Sequence, residues 1–177
     1  MPSPLEAVVI VLCVLTVASD IFEHRVRNVW LVAALFFGTG CLIFEWLRVG
    51  GSAPWTALFG LLIGFLVLLP FYAIHLMGAG DVKFFATLGF LLGGKALLPI
   101  WIIASVLGGV HAVIVLVSRY VIRHAGPGLA FMQGQFIESR LWQRVLVARN
   151  GRKGLPYAAY MAIGALLTMK FSTLTHW

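Results

Sequence analysis

The chain has 177 residues, of which 61% are apolar and only 11% charged, and its mean hydropathy is +0.99. A soluble domain of this length carries about a quarter charged residues, so a water-soluble fold is excluded and an integral membrane protein, surrounded by lipid, is indicated. The net charge of +7 does not imply a nucleic-acid partner here, because membrane proteins concentrate Lys and Arg on their cytoplasmic side.

Residues from about Ala7 to Ser19 are continuously apolar or small. A secretory signal would open with basic residues, whereas Glu6 is here and no Lys or Arg precedes Arg25, so the segment reads as a first transmembrane helix. It ends at the polar stretch Asp20 to Asn28. A second span runs from about Val29 to Trp46, followed by a loop from Leu47 to Pro54. A third runs from Trp55 to about Leu76, with Pro70 expected to kink it near its end.

The stretch Met77-Gly78-Ala79-Gly80-Asp81-Val82-Lys83 then interrupts the apolar sequence. The apolar segment after it, Val82 to Gly94, is short, about 20 Å as helix against a hydrocarbon core of about 30 Å. Either it thins the bilayer, or its Asp81 end begins below the lipid surface. The second option needs non-helical backbone at depth, tolerated only inside protein or a wet cavity. Gly78 and Gly80 are expected to permit that conformation and close helix approach.

Gly93-Gly94-Lys95 separates this segment from a fifth span, Ala96 to about Ser118, since a fused helix of more than about 50 Å is too long for one crossing. Arg119 to Gly154 is the long polar region. Within it Leu141, Trp142, Val145 and Leu146 share a helical face beside Arg140 and Arg144, the pattern of an amphipathic helix lying on the membrane surface. The last span is Leu155 to about Phe171, with Pro156 near its first turn.

The expected fold is therefore all-α: one polytopic domain over 1–177 with about six transmembrane helices. Of the 13 Lys and Arg, Arg25, Arg27, Lys83, Arg119, Arg123, Arg140, Arg144, Arg149, Arg152 and Lys153 follow spans one, three and five. Only Arg48, Lys95 and Lys170 fall on the other side. That asymmetry puts both termini outside and the basic loops in the cytoplasm. Asp20 and Asp81 then lie on the same, cytoplasmic side, although the count does not use them.

These are the only aspartates in the chain. A carboxylate at the centre of a membrane helix costs roughly 2.5–3.5 kcal/mol on insertion scales, so intramembrane carboxylates tend to be functional. Peptide hydrolysis by two carboxylates requires them on separate elements, close enough to share one proton and hold one water. The blander readings are an interfacial helix-end residue or a partner of Arg25 for Asp20, and a helix N-cap for Asp81. Lys83 reads equally as a group that orients Asp81 and as a positive-inside anchor. Cys13 and Cys41 lie in apolar runs without C-x-x-C spacing, and no His-x-x-x-His occurs, so no metal site or cofactor is expected.

Gly78-Ala79-Gly80-Asp81 resembles the G-x-G-D motif of the type IV prepilin peptidases, in which a lysine commonly follows as Lys83 does. Asp20 followed by Arg25-Val26-Arg27-Asn28 is similar to the family's aspartate and Arg-Ile-Pro-Asn, with Arg27 at the usual proline. Lys153-Gly154-Leu155-Pro156-Tyr157 resembles the family's last, Pro-Tyr-containing helix. The resemblance implies Asp20 and Asp81 as catalytic, with Gly78, Gly80, Lys83, Arg25 and Asn28 shaping the site. It implies an aspartyl endopeptidase of the bacterial inner membrane that cuts prepilins or pseudopilins after a glycine, between a short basic leader and a transmembrane helix. Without the four-cysteine insert of larger members, the chain looks like the short branch associated with tight-adherence (Flp-type) pili, with no N-methyltransferase activity. Two rivals are a presenilin-like protease, which shares G-x-G-D, and a small ion- or proton-coupled transporter, which would place its carboxylates near mid-bilayer.

Overall fold

The computed structural model describes residues 3–23, 26–50, 55–124 and 156–171. Among them are six helices and no strands: α1 (Pro4–Glu23), α2 (Asn28–Val49), α3 (Trp55–Ala73), α4 (Ala79–Leu92), α5 (Gly94–His124) and α6 (Tyr157–Lys170). Three of them, over Asn28–Arg48, Trp55–Ala73 and Gly94–Ser118, are long and apolar enough to cross a membrane. Their outer faces carry exposed large apolar side chains, among them Phe36, Phe59, Leu62 and Leu116. Water does not tolerate so much apolar surface on a monomer, so the protein is membrane-embedded.

Each boundary has a local cause. α1 opens on a capping box: Glu6 N–H donates to Ser3 Oγ (3.2 Å) and Ser3 N–H donates to Glu6 Oε2 (2.8 Å), the S-x-x-E pattern. It runs past Asp20 to Glu23, so Asp20 lies inside the last turns and not at the helix end, as the polar stretch had implied. α3 contains Pro70 and stops at Ala73, short of the expected Leu76. There Leu76 N–H bonds to Phe71 O and His75 N–H to Tyr72 O, both 3.0 Å. This is a Schellman ending with His75 at φ 58°, where glycine is usual. Gly93, at φ 84°, makes the turn between α4 and α5.

α5 differs most from expectation. It continues through Arg119 to His124, 31 residues or about 46 Å. The segment beginning at Arg119 is thus helical at its start. The expected surface helix around Arg140–Leu146 lies outside the described residues.

α4 is the centre of the bundle. Phe84 to Leu91 are buried without interruption, and a helix apolar all round is a core helix. It packs most extensively on α3 through small residues. A Cβ on Gly60 would collide with the Gly89 carbonyl, and one on Gly64 would stand 3.0 Å from Ala86 Cα. Backbones meet directly there, the small-xxx-small mode of membrane helices. α6 repeats the device against α5, where a Cβ on Gly164 would be 2.9 Å from Ile100 O. α4 is 14 residues long, about 21 Å, and protein encloses it along most of that length.

Candidate active site

Three helix ends meet at one end of the bundle: the last turns of α1 with Asp20, the first turn of α4 with Asp81, and the first turn of α6. Asp20 is buried, 6% exposed. Its Oδ2 accepts a hydrogen bond from Ala159 N–H on α6, at 2.9 Å. The preceding amide, that of Ala158, interacts with the Asp81 carboxylate, and the Asp20 charge acts on Asp81 as well. The first-turn amides of a helix have no partner within it and carry the positive end of its dipole. Consecutive donors of α6 thus serve the chain's two aspartates.

Asp81 also accepts from Gly78 N–H through Oδ2 (3.3 Å), while Asp81 N–H donates to Gly78 O (3.1 Å). This is half a capping box, since glycine offers no side chain to complete it. Asp81 stands three residues inside the helix, and Gly78 holds the N-cap position.

Of the two roles expected of the glycines, an unusual backbone conformation and close approach, the structure shows the second. Gly78 has φ −74° and ψ 146°, ordinary extended backbone for any residue, and Gly80 is already helical. What they provide is room. A Cβ on Gly78 would be 3.3 Å from Asp81 Oδ2, and one on Gly80 would be 3.2 Å from Val26 Cβ. Gly80 therefore lets the start of α4 lie against the α1–α2 connection.

Lys83 donates from Nζ to Asn28 Oδ1 at 3.4 Å. It joins α4 to the first residue of α2, so two of the residues carried over by resemblance do meet, at the rim and not at the carboxylates. Arg25 lies outside the described residues. Arg27, the N-cap of α2, has φ −75°, within the range a proline ring imposes. The departure from the family's proline thus preserves that backbone angle.

The hydrogen-bond partners of the α6 tyrosines escape a sequence reading. Tyr157 OH and Ser105 Oγ are 3.1 Å apart, and Tyr160 OH and His111 Nδ1 are 2.7 Å apart. Both rings lie beside Gly108, where a Cβ would be 3.5 Å from Tyr160 and 3.7 Å from Tyr157. α5 therefore anchors the turn of α6 whose amides reach the carboxylates. The Pro156-Tyr157 pair marks this helix start in the sequence, but its partners on α5 follow no recognisable spacing.

Residues 7–113, more than half of the chain, match the type IV leader peptidase family. The chain belongs to that family. Type IV leader peptidases are proteolytic, and the match covers both aspartates, the glycines beside Asp81 and all of α1 to α4 beyond residue 6. No curated protein and no solved structure matches the chain significantly. The first turn of α6, which completes this site in the leader peptidase, falls outside the matched segment.

Proposed function

We propose that this leader peptidase is an aspartyl endopeptidase that removes the short basic leader of Flp-type prepilins or pseudopilins. The observation that carries the proposal is that Asp20 and Asp81, from distant parts of the chain, are served by adjacent amides of one helix end. Like charges so placed share a proton readily. In the proposed reaction one carboxylate takes a proton from the water as its oxygen attacks the scissile carbonyl, and the other gives a proton to the carbonyl oxygen. Collapse of the tetrahedral adduct returns a hydroxyl proton to one carboxylate as the C–N bond breaks, and the amine leaves with a proton from the other. The α6 amides hold the carboxylates in orientation throughout, so little reorganisation is needed.

In this reading all six helices belong to the membrane domain, both termini lie outside, and the catalytic end faces the cytoplasm of a bacterial inner membrane. The Lys and Arg asymmetry supports that orientation. α4, shorter than the hydrocarbon core of about 30 Å, sets the pair slightly inside the cytoplasmic boundary. A prepilin presents its bond at the same level, with its basic leader in the cytoplasm and its hydrophobic helix in lipid. The basic face offers the leader no attraction, so recognition rests on helix packing and on the carboxylates. The proposed chemistry uses no cofactor and includes no N-methylation.

The test is incubation of the peptidase in lipid vesicles with Flp-type prepilins, with mass spectrometry of the products. A single cut after the glycine at the leader–helix junction is expected. Cuts within the hydrophobic segment would favour the presenilin-like alternative, and intact prepilins throughout would count against the proposal.

A further inference from the structure

We infer that Thr16 is a water-positioning residue of this site; the inference rests on the aspartyl reading above. Thr16 is 1% exposed, and among the described residues its Oγ1 is the buried side-chain oxygen that meets no hydrogen-bond partner. Buried hydroxyls are nearly always bonded, and an exception calls for a reason.

Its behaviour differs from that of its kind in this bundle. A helical Ser or Thr commonly satisfies its hydroxyl on the carbonyl one turn back. Ser19, Thr39, Thr87, Ser118 and Thr168 all do so, at 2.8, 2.7, 2.9, 2.6 and 2.8 Å. Thr16 leaves that bond unmade, so its hydroxyl is available to something else.

Its place on α1 indicates what. Thr16 precedes Asp20 by four residues, so the two share a face of the helix. That face is buried along its length, through Val9, Cys13, Thr16 and Asp20. Side chains four apart have Cβ atoms about 5–6 Å from each other, and two O–H···O bonds of about 2.8 Å each span such a gap through one water. A water there has a hydroxyl on one side and a carboxylate on the other, the polar partners a buried water requires. Thr16 would hold the water that the pair activates, turned toward the substrate carbonyl. Valine has nearly the same shape and lacks the hydroxyl.

The test compares Thr16→Val, Thr16→Ser and Asp20→Asn in vesicles, measuring prepilin cleavage and thermal unfolding. Thr16→Val is expected to lower kcat by about 10-fold or more with KM unchanged, within what positioning contributes. Its unfolding midpoint should stay close to that of the parent, because among the described residues the hydroxyl bonds no protein group and the bridging water can leave with it. Thr16→Ser should keep cleavage within about threefold, its hydroxyl replacing the one lost. Thr16→Val cleaving within twofold of the parent overturns the inference, and so does Thr16→Ser losing as much as Thr16→Val. Should Thr16→Val fail to fold, Thr16→Ala against Thr16→Ser decides on the same criteria. Retained cleavage in Asp20→Asn would instead remove the aspartyl reading itself.

Discussion

Asp20→Asn and Asp81→Asn should each give a folded, inserted chain that cleaves prepilin about 10⁴-fold more slowly than the parent, the upper end of what positioned proton transfer supplies. Asparagine is the informative replacement. Its amide oxygen can still accept the Ala159 N–H that Asp20 now takes at 2.9 Å, so helix packing is preserved while proton exchange is lost. Alanine would leave that amide buried without a partner, at about 1–3 kcal/mol, and would confuse a folding defect with a catalytic one. Cleavage and thermal unfolding measured on the same preparations separate the two effects. Parental cleavage by either Asn variant would reject the pair.

The largest expected structural effect is at Gly89. Gly89→Ala in an isolated helix gains about 1 kcal/mol from propensity. Here the added Cβ meets the Gly60 carbonyl and comes within 2.8 Å of its carbon. A flexible side chain could move aside, but a helix backbone in a packed bundle cannot. Overpacking of this kind costs about 1–3 kcal/mol and occasionally more, so after the propensity gain a net loss of about 1 kcal/mol or more is expected. The same shift displaces α4 and with it Asp81, so cleavage should fall too. Gly40→Ala is the control: nothing lies within 4 Å of its Cβ position, and it should gain about 0.5–1 kcal/mol. Thermal midpoints in detergent micelles compare the two. A Gly89→Ala protein as stable as Gly40→Ala would mean that α3 and α4 do not cross as closely as described.

Much of this arrangement is legible in the chain, because membranes restrict what a sequence can mean. The breaks at Gly78 and Gly93 and the starts of α2 and α3 follow from where apolar runs stop. Asp20 and Asp81 are conspicuous as the only aspartates in an apolar chain. Less visible is whatever depends on backbone or on long-range contact. The amides of Ala158 and Ala159 belong to no side-chain motif, so nothing in their residue types announces two carboxylate ligands. Thr16 looks like filler in an apolar run, and only its unmade bond distinguishes it. Lys83 could be read as a partner of Asp81 because they are two residues apart. On a helix that spacing puts them on different faces, and Lys83 meets Asn28 instead. The far end of α5 is obscured by Arg119 and Arg123, whose charge masks an apolar Tyr120-Val121-Ile122 between them.

The convergence of the two carboxylates is tested most directly by chemical linkage. Asp20→Cys and Asp81→Cys would be combined in a chain whose Cys13 and Cys41 are replaced by alanine, then treated in vesicles with a short thiol–thiol reagent. Mass spectrometry should find a peptide joining α1 to α4 in the double variant and in neither single one. Absence of that peptide, or linkage no greater than for cysteines placed at Asp20 and Gly40, would contradict a shared site.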